Sequence, residues 1–434
     1  MGVSNDKETM ARCAGFSILV FLLSINEIST ARVCNSSIES QQSRIGILIS
    51  PIISDSISQE IEIHWNNVNL QPSEKIVLAE ENNNLGSPTI SIVYNVTSNG
   101  PSGIEQTGIP STFTPNSSLL FEQQCSKYKV AVLTVEGNLK DINCLKTQPT
   151  WMKQRKHILG PLRISQIFLP GTHDSASYAQ RNDGGNIISR FAITQDIDIL
   201  GQLIHGARYL DIRVGHYPST DEIWWTNHGA FYRSVSLKTV IDQVKQFLEN
   251  TEEIVIFDLH EFPIGFDNIT IHRKLVSYLE DQFRDYILTN NYGWSVTMND
   301  VWSSGKRLII GYENTQIVQE HASMWPCVQH QWGNVRTIED LYKHLNSIEN
   351  NDSENRVRPR SAMAELTPNA IDVISNRLGN LRDMAHRVNA NVTNWYSTVW
   401  QYTANIVAVD FARSTDIVET AIKSNENRHL HCRY

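Results

Sequence analysis

The 434-residue sequence predicts an α/β protein: a barrel-forming catalytic domain preceded by a small all-β, sandwich-like domain. Three observations predict it. The length suffices for two domains. Residues 32–150 read as short alternating runs separated by turn-forming clusters. From residue 151 onward, strand-like runs alternate with helical ones, the rhythm of a parallel sheet.

Residues 1–31 read as a secretory signal. Cys13 to Ile25 is an uncharged apolar run, shorter than the roughly 20 residues needed to span a bilayer. Arg12 precedes it. Ser29 and Ala31 fit a cleavage site after Ala31, and Met10 offers an alternative start. Export also suits the Asn-X-Ser/Thr sites at Asn35, Asn95, Asn116, Asn268, Asn351 and Asn391. The expected mature protein is secreted and soluble, with no transmembrane segment.

Within residues 32–150, strand runs are expected at Ile47–Ile49, Glu60–Trp65, Lys75–Leu78, Thr89–Val96 and Tyr128–Val135. Asn/Ser/Gly/Pro clusters such as Glu81–Pro88 separate them, which is sandwich spacing. This region carries no catalytic constellation and reads as an accessory module or a stabilising flank. An oxidising compartment allows disulfides. Cys327 with Cys432 would make one pair, and two of Cys34, Cys125 and Cys144 another. No C-x-x-C spacing exists, which argues against a zinc site.

In residues 151–434, strands are expected at Ile164–Leu169, Arg208–Val214, Glu253–Leu259, Arg307–Gly311, Ala362–Leu366 and Asn405–Val409. Leu237–Leu248 places Val240, Ile241, Val244, Phe247 and Leu248 on one helical face. Ile271–Ile287 and Ala370–Val388 also read as helices. A βα barrel gathers its active site at the C-terminal ends of its strands. Those ends carry His173 and Asp174, Asp211 and Arg213, His260 and Glu261, Glu313, Glu365, and Asp410.

Two histidines can trade protons near neutrality, one accepting while the other donates. His173 and His228 are that expected pair. Arg213 would hold a phosphate and stabilise charge developing on it. Asp410 would orient one imidazole and Asp174 would couple to the other or to the leaving oxygen. The net charge of -9 argues against a nucleic-acid partner. It also argues against docking on an anionic leaflet by charge alone.

At these residues the chain resembles the phosphatidylinositol-specific phospholipase C X-domain family, in its bacterial-like, calcium-independent branch. The matching segments are LPGTHDS (169–175), HGARYLDIR (205–213), NHGAFY (227–232) and NIVAVDF (405–411). The resemblance covers residues 151–434 and is nearest the stand-alone X-domain proteins of animals. It implies a distorted TIM barrel that cleaves the glycerol–phosphate bond of an inositol lipid. Diacylglycerol and a cyclic inositol phosphate would result. It implies His173 as general base supported by Asp410, and His228 as general acid assisted by Asp174. Arg213 would take the place calcium holds in the other branch, so no metal or cofactor is expected. The expected partner is a phospholipid at a membrane surface, met transiently.

Two departures stand out. His260 replaces a lysine of the bacterial pattern, and Tyr312 with Glu313 replaces a basic residue that meets the inositol. His260, Tyr312, Glu313 and Glu365 are therefore candidate head-group contacts, or else solvated strand ends. Trp224, Trp225, Trp325 and Trp332 could line a lipid-facing rim, although packing is the commoner role. Two other functions stay open: a metal-dependent glycerophosphodiesterase or sphingomyelinase-D-like enzyme, and a non-catalytic lipid-binding barrel.

Overall fold

The computed structural model describes residues 33–34, 43–53, 59–82, 89–97, 100–178, 188–351, 357–375 and 377–433. The expected signal segment and Asn35 lie outside them. Among the described residues no helix is long and apolar enough to cross a membrane.

The N-terminal region forms two small antiparallel sheets. Arg44–Ile49, Glu60–Asn66 and Gly103–Pro110 make one. Thr89–Asn95, Lys75–Asn82, Cys125–Leu133 and Leu139–Lys146 make the other. Ile47, Ile63, Trp65, Leu78 and Val130 bury between them, as inward faces of alternating strands do. A Cys125–Cys144 disulfide staples two neighbouring strands.

The rest of the chain curls one parallel sheet into a barrel. The order across it is Met324–Pro326, Leu308–Tyr312, Val255–Ile264, Tyr209–His216, Leu169–Thr172, Ile406–Val409, Arg360–Met363 and Gln329–Gln331. A hairpin, Trp224–His228 with Tyr232–Ser236, extends from Tyr209–His216. The two outermost strands are joined through Cys327 and Val328 but do not pair, so the barrel is open on that side. Cys327 is buried there as a free thiol, its sulfur against the Leu259 carbonyl. That overturns the expected pairing with Cys432. The Cys432–Arg433 strand instead lies antiparallel to Val33–Cys34.

Helices coat the outside. Leu237–Asn250 starts on a Ser236 cap and buries the five apolar residues its spacing singled out. Ile269–Phe283 starts on Asn268. The expected Ala370–Val388 helix is two helices, Ala370–Ser375 and Leu381–Thr398. Gly379, at φ 70°, takes a left-handed turn, and Asn380 then caps the second helix with a reciprocal Asp383 contact.

Arg208, just before its strand, pairs with Glu253; both side chains are fully buried. The guanidinium also donates to the carbonyls of Leu203, Ala207, Gln148 and Pro149. Removing one partner strands the other charge in the interior. Glu253→Ala is expected to cost about 3–5 kcal/mol in urea unfolding. A loss below about 1 kcal/mol would mean the arginine is satisfied by its carbonyls alone.

The sandwich docks against the barrel through polar ties. Arg44 meets Asp416 at 2.5 Å and donates to Thr420. Gln59, held at φ 65°, donates to Asp196 and accepts from Arg413, which itself pairs with Asp196 at 2.5 Å. Asp196 follows Gln195, a buried side chain that donates to the carbonyls of His173 and Val409. It also accepts from the Ala412 amide. A polar chain thus runs from the sandwich to the backbone beneath the barrel mouth.

Candidate active site

The C-terminal strand ends open into a cleft of ≈ 810 Å³. His173, Arg213, His228, His260, Glu365 and Asp410 all line it. Asp174 and Asp211 lie buried just behind.

His173 follows the Leu169–Thr172 strand, whose four residues are buried. Its Nδ1 meets Asp410 Oδ1 at 2.8 Å. Its Nε2 meets Arg213 Nη2 at 2.8 Å. A guanidinium has only donors, so Nε2 accepts there and the proton sits on Nδ1, toward Asp410. Burial disfavours the charged ring, but the Glu365 and Asp410 carboxylates outweigh it and push the pKa up to about 10. A charged ring cannot accept from Arg213, so the observed contact belongs to the neutral ring. At that value the free ring is charged near neutrality, so His173 can serve as a base only in the neutral form that accepts from Arg213.

Arg213 donates to Asp211 at 3.3 Å and lies 3.3 Å from Glu261 and 3.9 Å from Asp174. These carboxylates hold it firmly charged despite burial. Asp211 Oδ2 also accepts the backbone amide of Asp174. Asp174 itself sits at φ 36°, a strained conformation of the kind that clusters at functional sites. Burial pushes its carboxyl up to about 7, with Arg213 opposing.

His228 ends the first hairpin strand. Its Nδ1 lies 2.7 Å from the Ala192 carbonyl and 3.2 Å from Asp174 Oδ2. Burial and the nearby Arg213 push its pKa down to about 3, so the neutral ring donates to the carbonyl. The two imidazoles stand 6.4 Å apart and nearly perpendicular, and both line the cleft with Arg213. An anion bound beside them would offset the Arg213 and His173 repulsion that, after burial, helps keep His228 neutral.

Glu365 is buried at the cleft wall, and neither of its oxygens has a hydrogen-bond partner among the described residues. Burial raises its carboxyl to about 7, opposed by His173. In Glu365→Gln, His173 is expected to titrate at lower pH, because one of the carboxylates that favour its charged form is gone. Imidazole NMR reads this directly; an unmoved titration would mean that the two side chains do not interact.

Tyr312 and Glu313 stay out of the cleft. Tyr312 is the last residue of a fully buried strand. It faces the outer helix, where its hydroxyl meets His272, and its ring packs on Phe262 of the Val255–Ile264 strand. Glu313 is exposed. Of the four tryptophans, Trp224 and Trp325 are buried in the core and Trp225 is half-buried. Trp332 lines the cleft and is half exposed. Sequence reasoning missed His330, on the Gln329–Gln331 strand, which stacks on His260 with ring centres 4.2 Å apart. It also missed Phe231 and Ile374, which stand at the cleft mouth with 60% and 84% of their surface exposed.

In fold, the parallel barrel is similar to the bacterial phosphatidylinositol-specific phospholipases C. The enzyme of that name from Listeria monocytogenes superposes with a TM-score of 0.50 at 20% identity, over 64% of this chain and 98% of that one. No family model matches the chain. Its curated relatives are PI-PLC X domain-containing proteins. Protein 1 of Mus musculus is 22% identical over 311 residues, 64% of this chain and 86% of that protein. Protein 3 of Homo sapiens is 24% identical over 305 residues, 63% of this chain and 92% of that protein.

Proposed function

We propose that this chain is a phosphodiesterase of the phospholipase C type, secreted, acting on an inositol phospholipid or a glycosylphosphatidylinositol-like lipid. The observation that carries this is Arg213 lining one cleft with two histidines, each within 3.2 Å of its own carboxylate. In the reaction, a phosphate oxygen draws Arg213 away from His173. His173 Nε2 takes the proton of the inositol 2-hydroxyl as its oxygen attacks phosphorus. The bond to the glycerol oxygen breaks, and protonated His228 gives that oxygen its proton. Diacylglycerol leaves, and a cyclic inositol phosphate remains. Asp410 stabilises the imidazolium on His173, and Arg213 balances the charge on phosphorus. No step requires a metal.

The head group meets an acidic wall. Glu261 and Glu365 line the cleft with His260, which suits a polyol, and suits better one bearing an amine as glycosylphosphatidylinositol does. Export rests on the apolar N-terminal run and on the exposure of Asn95, Asn116, Asn268 and Asn351 at glycosylation sites. The test is release of water-soluble inositol phosphate from vesicles of phosphatidylinositol, beside release of a glycosylphosphatidylinositol-anchored protein, each with and without EDTA. Release unaffected by EDTA supports the reading. Release abolished by EDTA, with no cyclic inositol phosphate among the products, would favour the metal-dependent glycerophosphodiesterase or sphingomyelinase-D-like alternative. Binding without release would favour a lipid-binding barrel.

The apolar mouth suits a bilayer surface. Ile188, Phe231, Trp332, Ile371 and Ile374 are all exposed, on a surface where isolated apolar side chains are ordinary but a cluster at a cleft is not. Ile374→Asp is expected to weaken vesicle binding about tenfold or more, since it replaces buried apolar area with a charge. Turnover of a short-chain, monomeric substrate should stay within about twofold. Equal losses on both substrates would place Ile374 in the fold rather than at the membrane.

A further inference from the structure

The inner wall of the cleft holds a group the reaction above does not use. Asp211, His260 and His330 each offer one ligand atom, and the three atoms lie within 4.8 Å of one another. Asp211 Oδ1, His260 Nδ1 and His330 Nε2 are all buried and have no hydrogen-bond partner among the described residues. His260 Nδ1 stands 3.0 Å from Asp211 Oδ1 without meeting hydrogen-bond geometry. That spacing is also the separation of two neighbouring ligands on one ion, about 3.0–3.4 Å for bonds near 2.1 Å. Asp211 Oδ1 and His260 Nδ1 have only each other, as an ion pair, and His330 Nε2 has no partner among the described residues; one shared cation would engage all three at once.

We propose that Asp211, His260 and His330 form a binding site for a borderline divalent cation of the zinc class. Two imidazoles and one carboxylate are a donor set for zinc rather than for calcium or magnesium, which want oxygen. The surroundings are acidic: Asp211, Glu261 and Asp410, with Asp174 and Glu365, lie around the cleft, and Arg213 is the one arginine or lysine lining it among the described residues. The stacked rings of His260 and His330 hold their nitrogens on rigid strands, one in the middle of Val255–Ile264 and one on Gln329–Gln331. Both histidines line the cleft, so a bound ion keeps an open position facing it, beside Arg213. The site is separate from the His173–His228 pair and does not rest on the phosphodiesterase reading.

The test uses the full chain with metal alone and no lipid. Calorimetric titration with Zn²⁺ is expected to give one ion per chain. Co²⁺ is expected to give the visible absorption of a nitrogen-ligated site. His330→Phe keeps a ring to stack on His260 but removes the ligand nitrogen, and should weaken Zn²⁺ binding by at least tenfold. His228→Ala should leave it within about twofold. His260→Gln serves as the second variant should His330→Phe not fold. Unchanged affinity in His330→Phe or His260→Gln overturns the proposal. So does affinity lost in His228→Ala and kept in His330→Phe, because the ion would then belong to the histidine pair.

Discussion

His173→Ala is expected to lower turnover of an inositol phospholipid by about 10²–10⁴-fold, the range a positioned base contributes. The loss should fall on kcat more than on KM, because the imidazole acts in the transition state. His228→Ala should lose about as much, yet the two differ in one respect. A phosphodiester with an acidic leaving group, such as a phenol, departs without being protonated. It should restore His228→Ala by orders of magnitude and leave His173→Ala impaired. Rescue of His173→Ala instead would exchange the two roles. The assignment rests on geometry: Asp410, 2.8 Å from His173 Nδ1, raises the proton affinity that a base needs. His228 spends its Nδ1 proton on the Ala192 carbonyl and lines the cleft.

Arg213→Ala is expected to cost about 10²–10³-fold in kcat, as loss of one preorganised charge-stabilising donor does. Arg213→Lys should recover little of it. The guanidinium contacts His173, Asp211 and Glu261 together, and a single ammonium cannot reproduce that fork. Full activity in Arg213→Lys would mean that only net charge matters there. Arg213→Ala should also unmask His173, since Nε2 loses its donor. A histidine NMR titration separates that effect from a general collapse of the site.

Most of the barrel was legible in its strands, because buried parallel strands read as continuous apolar runs. EIVIFDL and NIVAV are such runs, and Val255–Ile264 and Ile406–Val409 are where the sheet has them. Met324–Pro326 and Gln329–Gln331 were not legible. Three residues rich in Pro, Gln and His carry no period, and their pairing is set by the curl of the sheet. His330 went unseen for that reason. The start of the barrel was displaced as well: the apolar run from Ile164 begins with a short helical turn, and the strand is Leu169–Thr172. The split of the long helix could have been read from Gly379 and Asn380, a stop followed by a cap.

The site divides along the same line. His173, Arg213, His228 and Asp410 stand in short motifs whose spacing survives any detail of packing, and the fold brings them together. Tyr312 failed as a contact because adjacency to a strand end does not say which face a side chain takes. Alternation turned it outward to His272. Cys327 failed as a disulfide partner because its burial in the barrel wall, invisible in sequence, keeps it from the chain end where Cys432 lies.

Gln59 reaches from the sandwich to Asp196 and Arg413, and Gln195 next door carries the backbone of His173 and Val409. Heat should therefore melt the two regions together, in one calorimetric peak with equal calorimetric and van't Hoff enthalpies. A protease cut at the junction near residue 150 would not liberate a working barrel. The N-terminal region is then a keystone: its role is felt in how sharply the enzyme holds its shape, even though none of its described residues lines the cleft.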